Sequence, residues 1–379
     1  MALDSSEMED QTVASNKDCR ESRYHERMKV RISKSKTFTG AKNILIRGTN
    51  WIGDAVMTLP AVAAIRNTFP AARISILVKP WVAEIFHLCK DVDEVIVFES
   101  PGSHSGVAGI LRLAKELRTR RFDAVILLQN AIEAAIISWL AGIPVRAGYN
   151  SDGRGLLLTH SVQRTEAIRK VHQIEYYLEM VKSLGCQAAD ANVFLNPGKV
   201  DEILSETLFR KHDIGRESCL IGLAPGATYG PAKKWFPERF AAVADRLIDD
   251  FSAQAILFGS NEDRKSTDLV EQNSHHTLIS LAGKTNLKEA IAIIARCNLF
   301  ISNDSGLMHV AGALNIPTVA IFGSTNPITT SPVGDKSVVI YKAASCSPCL
   351  KETCPTDFRC MDVISVEEVY ETARGLLTK

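Results

Sequence analysis

LFISNDSGLMHVAGALNIPTVAIFGSTNP, residues 299–327, reads as one strand, turn, helix and second strand. Leu299 to Ser302 is a short apolar run, Asn303 to Gly306 has turn chemistry, and Leu307 to Leu314 repeats apolar residues at helical spacing. Asn315 and Pro317 stop that helix. Thr318 to Phe322 is then an unbroken apolar run, the pattern of a strand buried on both faces of a parallel sheet. In open α/β sheets, ligands bind just past the carboxyl ends of the strands. A helix starting near Ser305 offers unpaired N–H groups and a positive dipole end at that place, and Gly306 lets an anion approach closely. A carboxylate beside a diphosphate repels it, so Asp304 is expected to cap the helix, to bind a sugar hydroxyl, or both. An ordinary Asp cap on a crossover helix fits the same spacing.

The surrounding chain is long enough for two domains: 379 residues, 46% apolar and 23% charged, as in a soluble globular protein. A net charge of +1 argues against nucleic acid as a partner. The first residues are polar and acidic without an apolar segment, so no secretory signal is read and a cytoplasmic location is expected. Residues 305–334 carry no charged side chain, but Asn315, Pro317 and the GSTNP turn break them into pieces too short to span a bilayer.

Met1 to Thr39 mixes acids and bases with few large apolar residues and is expected to be a disordered tail. Its run Lys29, Arg31, Lys34 and Lys36 contains no acid, and is either a solvated stretch or a weak contact for anionic lipid. From Asn43 the chain alternates strands (44–47, 74–78, 95–98, 122–128) with helices (58–69, 81–88, 109–121, 131–140). That alternation predicts a doubly wound parallel sheet, closed by an amphipathic helix over 171–184. A polar stretch with Asn196, Pro197 and Gly198 leads to a second alternating half. The expected organisation is a tail (1–39), a first Rossmann-like domain (40–190), a second one (191–365) and a closing helix (366–379), with a ligand cleft between the two domains.

Two loops and one cluster carry candidate chemistry. Gly48 to Asp54, GTNWIGD, follows the first strand and lacks the GxGxxG dinucleotide fingerprint. Asp54 is placed either to cap the next helix or to take a proton in the cleft. Ala224 to Trp235, APGATYGPAKKW, combines small residues, a hydroxyl and Lys233 and Lys234 after a strand. This suits a diphosphate although it is no Walker loop, and a solvated lysine pair reads equally well. His309 lies one turn into the helix after Asp304, as a core residue or at the anion site. Of nine cysteines, Cys346, Cys349, Cys354 and Cys360 form C-x2-C-x4-C-x5-C; the compressed spacing favours reduced thiols over structural zinc, and no metal site is expected.

The strings RGTNWIGDAVMTLPAVAAIR (47–66), LAPGATYGPAKKWFPERF (223–240), residues 299–327 and SCSPCLKETCP (345–355) together resemble glycosyltransferase family 9, the ADP-heptose:lipopolysaccharide heptosyltransferases. The resemblance covers about residues 43–375 and is closest to the heptosyltransferase II members. It implies a GT-B fold, with the acceptor held by the first domain and ADP-heptose by the second, and an inverting transfer without metal or other cofactor. By motif, Asp54 matches the proposed base, Thr228 and Lys233 the diphosphate contacts, and Asp304, Gly306 and His309 the donor segment. KKWFP departs from the family's lysine, any residue, Trp-Pro by the inserted Phe236, with Lys233 in register with Trp235. The catalytic candidates are therefore Asp54 and Lys233. The substrate-binding candidates are Asn50, Gly53, Gly226, Thr228, Lys233, Gly259, Asp304, Ser305, Gly306 and His309. The implied partners are ADP-heptose and a lipid A-linked core oligosaccharide at the cytoplasmic face of the inner membrane.

Three rival readings use the same architecture: a transferase of this family with a different glycan acceptor, a sugar-nucleotide epimerase, and a non-catalytic nucleotide-binding module. The absent glycine fingerprint weighs against a nicotinamide oxidoreductase.

Overall fold

The computed structural model describes residues 30–32, 40–187, 189–195, 198–215 and 218–378. The first sheet holds β1 (Val30–Ile32), β2 (Asn43–Arg47), β3 (Arg73–Val78), β4 (Glu94–Val97), β5 (Ala124–Leu127), β6 (Val145–Tyr149) and β7 (His160–Val162), in the order β1-β7-β6-β5-β2-β3-β4. The second holds β8 (Leu220–Ala224), β9 (Gln254–Leu257), β10 (Ile279–Ser280), β11 (Leu299–Asn303), β12 (Thr318–Phe322) and β13 (Ser337–Tyr341), in the order β10-β9-β8-β11-β12-β13. Every pairing is parallel except that of β1 with β7. Strand order reverses between β2 and β5 in one sheet and between β8 and β11 in the other. Open sheets of this kind leave a crevice at such points.

Strand sequence dictates which face meets which layer. In β2, Ile44 and Ile46 join a different apolar cluster from Leu45, and in β3 Ile74, Ile76 and Val78 are separated in the same way from Leu77. In the second sheet, Ile221, Leu223, Leu299 and Ile301 pack on one face, while Leu220, Ala224 and Phe300 belong to the other. One buried cluster runs from the first sheet through Tyr176, Tyr177, Leu195 and Phe209 to Val310 and Ala313, so the two halves are joined by continuous apolar packing. The helix Val366–Leu377 packs on the helix Pro237–Phe251 and on β11 and β12, within the second half.

Three expectations are corrected. The stretch after β2 is not a loop to Met57: a short helix Ile52–Met57 begins at once, and Leu59–Thr68 follows it with Thr58 at the joint. Val30–Ile32, expected inside an unordered tail, adds antiparallel to β7, whose free edge offers unpaired backbone groups. Residues 1–29 and 33–39, with most of the basic run, lie outside the described residues. β7 itself was not expected, because HSV offers only one large apolar residue to a periodicity argument.

Candidate active site

The two halves touch where the loop after β2 meets the loop after β11. The helix Ile52–Met57 of the first half packs on the helix Gly306–Ala313 of the second. Glycine makes this contact possible on both sides. A Cβ at Gly53 would lie 2.7 Å from the His309 ring, and one at Gly306 would lie 2.8 Å from the Ile52 Cβ. The close approach of these glycines is thus to protein. His309 is buried at this seam with its Nδ1 unpartnered, and burial pushes its imidazole down to about 4, so the ring is neutral at pH 7.

Asp54 sits in the first turn of the helix Ile52–Met57, whose N-cap Trp51 makes no side-chain cap bond, and its carboxylate has no hydrogen-bond partner among the described residues. It is half-buried. Burial pushes its carboxyl up to about 6, the Lys233 ammonium pulls it back, and Asp304 adds a further upward push. Groups from both halves thus set the charge of one carboxylate. The Tyr177 phenol stands on the same side, raised well above its ordinary value by burial and next by the Asp54 charge.

Across the seam, Lys233 ends a single 3-10 turn, Pro231–Lys233. Its Nζ donates to Asp304 Oδ2 at 2.6 Å, and Thr325 Oγ1 donates to the same oxygen at 2.7 Å. Asp304 is therefore the counter-charge of Lys233, and does not cap its helix: Ser305 is the N-cap, and its hydroxyl pairs with that of Ser302 at 3.0 Å rather than with the helix N–H groups. Asn303, fully buried, accepts from the Trp235 N–H at 2.9 Å and donates to the Pro225 carbonyl at 2.8 Å. β11 thereby fixes both ends of the lysine-bearing loop. Thr228 is exposed beside it, and the Tyr229 ring centre lies 5.0 Å from Lys233 Nζ. Among the described residues, no group of three or more His, Cys, Asp or Glu is arranged to hold a metal ion.

The profile of glycosyltransferase family 9 (heptosyltransferase) matches residues 110–358. The chain belongs to this family. Over 309 residues it is 33% identical to lipooligosaccharide heptosyltransferase 2 of Haemophilus influenzae, covering 79% of this chain and 88% of that one. It is 32% identical to lipopolysaccharide heptosyltransferase 2 of Escherichia coli, covering 78% and 87%. The solved structure of E. coli ADP-heptose lipopolysaccharide heptosyltransferase II superposes with a TM-score of 0.75 at 27% identity, covering 89% of this chain and 98% of that one. The fold is GT-B, and the chain is a glycosyltransferase.

Not every candidate of this family 9 enzyme converges on the Asp54–Lys233 seam. Lys234 turns away to donate to Ser266 Oγ at 3.0 Å. Gly226 and Gly259 both press on Asp263: a Cβ would come within 2.2 Å of its Oδ1 at 226 and 2.7 Å of its Cβ at 259. These two glycines serve the packing of Asp263, whose Oδ2 accepts from the Ser260 N–H at 3.0 Å and hydroxyl at 2.9 Å. Asn50 faces inward, accepting from Arg47 Nη2 at 2.9 Å, while its carbonyl accepts from Trp81 Nε1 at 2.7 Å.

Sequence reasoning missed Arg47, Asn303, Thr325 and Tyr177. Arg47 is buried, donates also to the Gly48 and Leu77 carbonyls, and so holds the start of the Asp54 loop. Burial pulls its guanidinium down to about 10, opposed by Glu133. The signal was available: a charged residue closing the apolar run ILIR has to be paired. Thr325 lay in the quoted GSTNP turn, but only the fold brings it to Asp304.

Proposed function

We propose that this enzyme transfers heptose from ADP-heptose to a heptose of the lipopolysaccharide inner core, with inversion and without a metal. The observation that supports the reading is the pairing across the seam: a carboxyl raised to about 6 and uncommitted to any cap, facing a lysine in the opposite half. Asp54 takes the proton of the acceptor hydroxyl as its oxygen bonds to the anomeric carbon, and the bond from that carbon to the diphosphate breaks on the far side. Lys233 and the N–H groups opening the helix Gly306–Ala313 receive the charge growing on the leaving diphosphate. For that, Lys233 exchanges Asp304 for a phosphate oxygen, which frees Asp304 for a sugar hydroxyl.

Among the described residues no helix is long and apolar enough to cross a membrane. We read the lipid-linked acceptor as reaching the enzyme from the cytoplasmic face of the inner membrane, along the helix Gly106–Thr119. That helix exposes Val107 and Leu111 beside Arg112, Lys115 and Arg118.

The test is transfer from ADP-heptose to defined core acceptors with a chelator present, with the product anomer determined. Transfer with inverted configuration is expected. Conversion of ADP-heptose without any acceptor would favour an epimerase, and strict dependence on magnesium or manganese would defeat the metal-free mechanism.

A further inference from the structure

The four clustered cysteines play no part in the transfer proposed above, yet all four line one small cavity. Cys346, Cys349, Cys354 and Cys360 face it together with Ala232 and Ser324. Cys346 is exposed, Cys349 and Cys354 are half-buried and Cys360 is buried, so a small reagent reaches the cluster from its outer side. The last two lining residues matter most. Ala232 precedes Lys233, and Ser324 precedes Thr325, the two groups bonded to Asp304.

The cysteine loop is tied directly to both. The Ala232 N–H donates to the Glu352 carbonyl at 3.0 Å, and the Tyr229 hydroxyl to the Leu350 carbonyl at 2.9 Å. The Leu350 N–H donates to the Ser324 carbonyl at 2.8 Å, and Ser347 Oγ donates to the Gly323 carbonyl. Contact is tight enough that a Cβ at Gly230 would lie 2.3 Å from the Glu352 carbonyl oxygen, and one at Gly323 would lie 3.1 Å from Cys360 Sγ. A brace packed this closely cannot change shape without moving the lysine loop or the Thr325 loop.

We infer that this thiol cluster is an oxidation site for hydrogen peroxide, and that a disulfide formed within it weakens donor binding by displacing Lys233 and Thr325. The inference rests on the donor site proposed above. Cys354 is the entry point. Its Sγ accepts from the Phe358 N–H at 3.3 Å and lies 3.5 Å from Thr356 Oγ1, contacts that favour the thiolate and lower its pKa. In the first step a sulfur–oxygen bond forms as the peroxide O–O bond breaks and hydroxide leaves. In the second, a neighbouring thiol of the cavity attacks the sulfenic acid, the sulfur–oxygen bond breaks, and the departing hydroxide takes up a proton as water. Two thiols are oxidised and one peroxide is reduced to two waters. All four are free thiols, so closing a pair draws two sulfurs to bonding distance and pulls on the loop that carries them.

The experiment treats the full-length reduced enzyme with hydrogen peroxide and reads three things: peptide masses, the Kd for ADP, and the KM for ADP-heptose. Expected are a loss of two hydrogens mapped to residues 343–362, a rise of at least about tenfold in Kd and KM, and reversal by dithiothreitol. Cys354→Ser and, separately, Cys349→Ser should bind ADP like the reduced enzyme; Cys354→Ser should resist peroxide. A mapped disulfide with unchanged ADP binding would overturn the inference, as would inactivation equally fast in Cys354→Ser. A metal ion retained stoichiometrically by thiols inert to peroxide would overturn it too. Failure of the donor site itself would show differently, as Lys233→Met leaving ADP affinity intact in the reduced enzyme.

Discussion

Replacing Asp54 with Asn should stabilise the protein while removing most of its activity. The carboxyl rises from an ordinary 3.8 to about 6 on folding, mainly through burial. A shift of that size corresponds to about 3 kcal/mol, and to about 1–3 kcal/mol for a half-buried group. The sign follows from the direction. A group whose pKa is higher folded than unfolded supports the fold while protonated, and that support is lost as pH rises through about 6. Asn carries no charge to desolvate, so its advantage is present at pH 8 and vanishes below about pH 3.8, where Asp54 is neutral in both states. Thermal unfolding at pH 8 should therefore show a higher Tm, by about 1 °C per kcal/mol for a chain of this length. In the transfer assay kcat should fall about 10²- to 10⁴-fold with ADP affinity retained, and the wild-type kcat/KM should decline below a pH near 6. If the Asn variant keeps more than about a third of wild-type kcat, or unfolds earlier than wild type at pH 8, Asp54 is a structural residue and the mechanism fails.

Gly53→Ala should reduce activity at least tenfold by driving a methyl group into the His309 ring; the double variant with His309→Ala should recover part of it, and purely additive losses would place the clash elsewhere. Asp304→Asn should leave ADP binding unchanged or tighter in calorimetry, since a competitor for Lys233 is gone; a tenfold loss would mean that the pair binds the donor as a unit. Burial keeps the His309 ring neutral, so its nitrogen resonances should be those of neutral imidazole at pH 6, and an imidazolium there would refute the dry seam. Charge reversal at Lys115 and Arg118 should raise the acceptor KM several-fold without affecting the donor KM; no change would leave these residues as a solvated flank.

The two-sheet architecture was legible because its carriers are periodic. The run Thr318–Phe322 and the alternation of Ile44, Leu45 and Ile46 announce strands covered on both faces, and the helices between them leave few other topologies. The candidate site was legible where a residue type was chemically out of place, as the candidate base Asp54 is after a strand and glycine loop. It was illegible where meaning depends on what packs opposite. Gly53, Gly226, Gly259 and Gly306 read as room for a ligand, yet each is filled by protein: from a distant stretch at 53, 226 and 306, and from Asp263, four residues on, at 259. Asp304 read as a cap, a ligand for a sugar hydroxyl, or both, because local sequence offers only those roles; its actual partners, Lys233 and Thr325, are set by the order β8-β11-β12, which brings three separate loops together.

On the mechanism proposed above, with Asp54 as the base and Lys233 at the donor diphosphate, that three-loop arrangement gives donor binding a consequence for the base. With no donor bound, the Lys233 ammonium holds Asp54 below the value that burial alone would impose. A diphosphate oxygen replacing Asp304 on Lys233 brings negative charge beside that ammonium and cancels part of its pull. Asp304, released from its 2.6 Å ion pair, then acts on Asp54 as an unscreened like charge. Both changes raise the proton affinity of Asp54 once the donor is in place, toward the value at which a general base is most effective near pH 7. The acid limb of kcat, which reports the complex, should therefore lie at higher pH than that of kcat/KM, which reports the free enzyme. On the proposed mechanism, the seam that joins the two halves would tie the strength of the base to occupancy of the donor site, and the acceptor would meet its strongest base only after the sugar to be transferred has arrived.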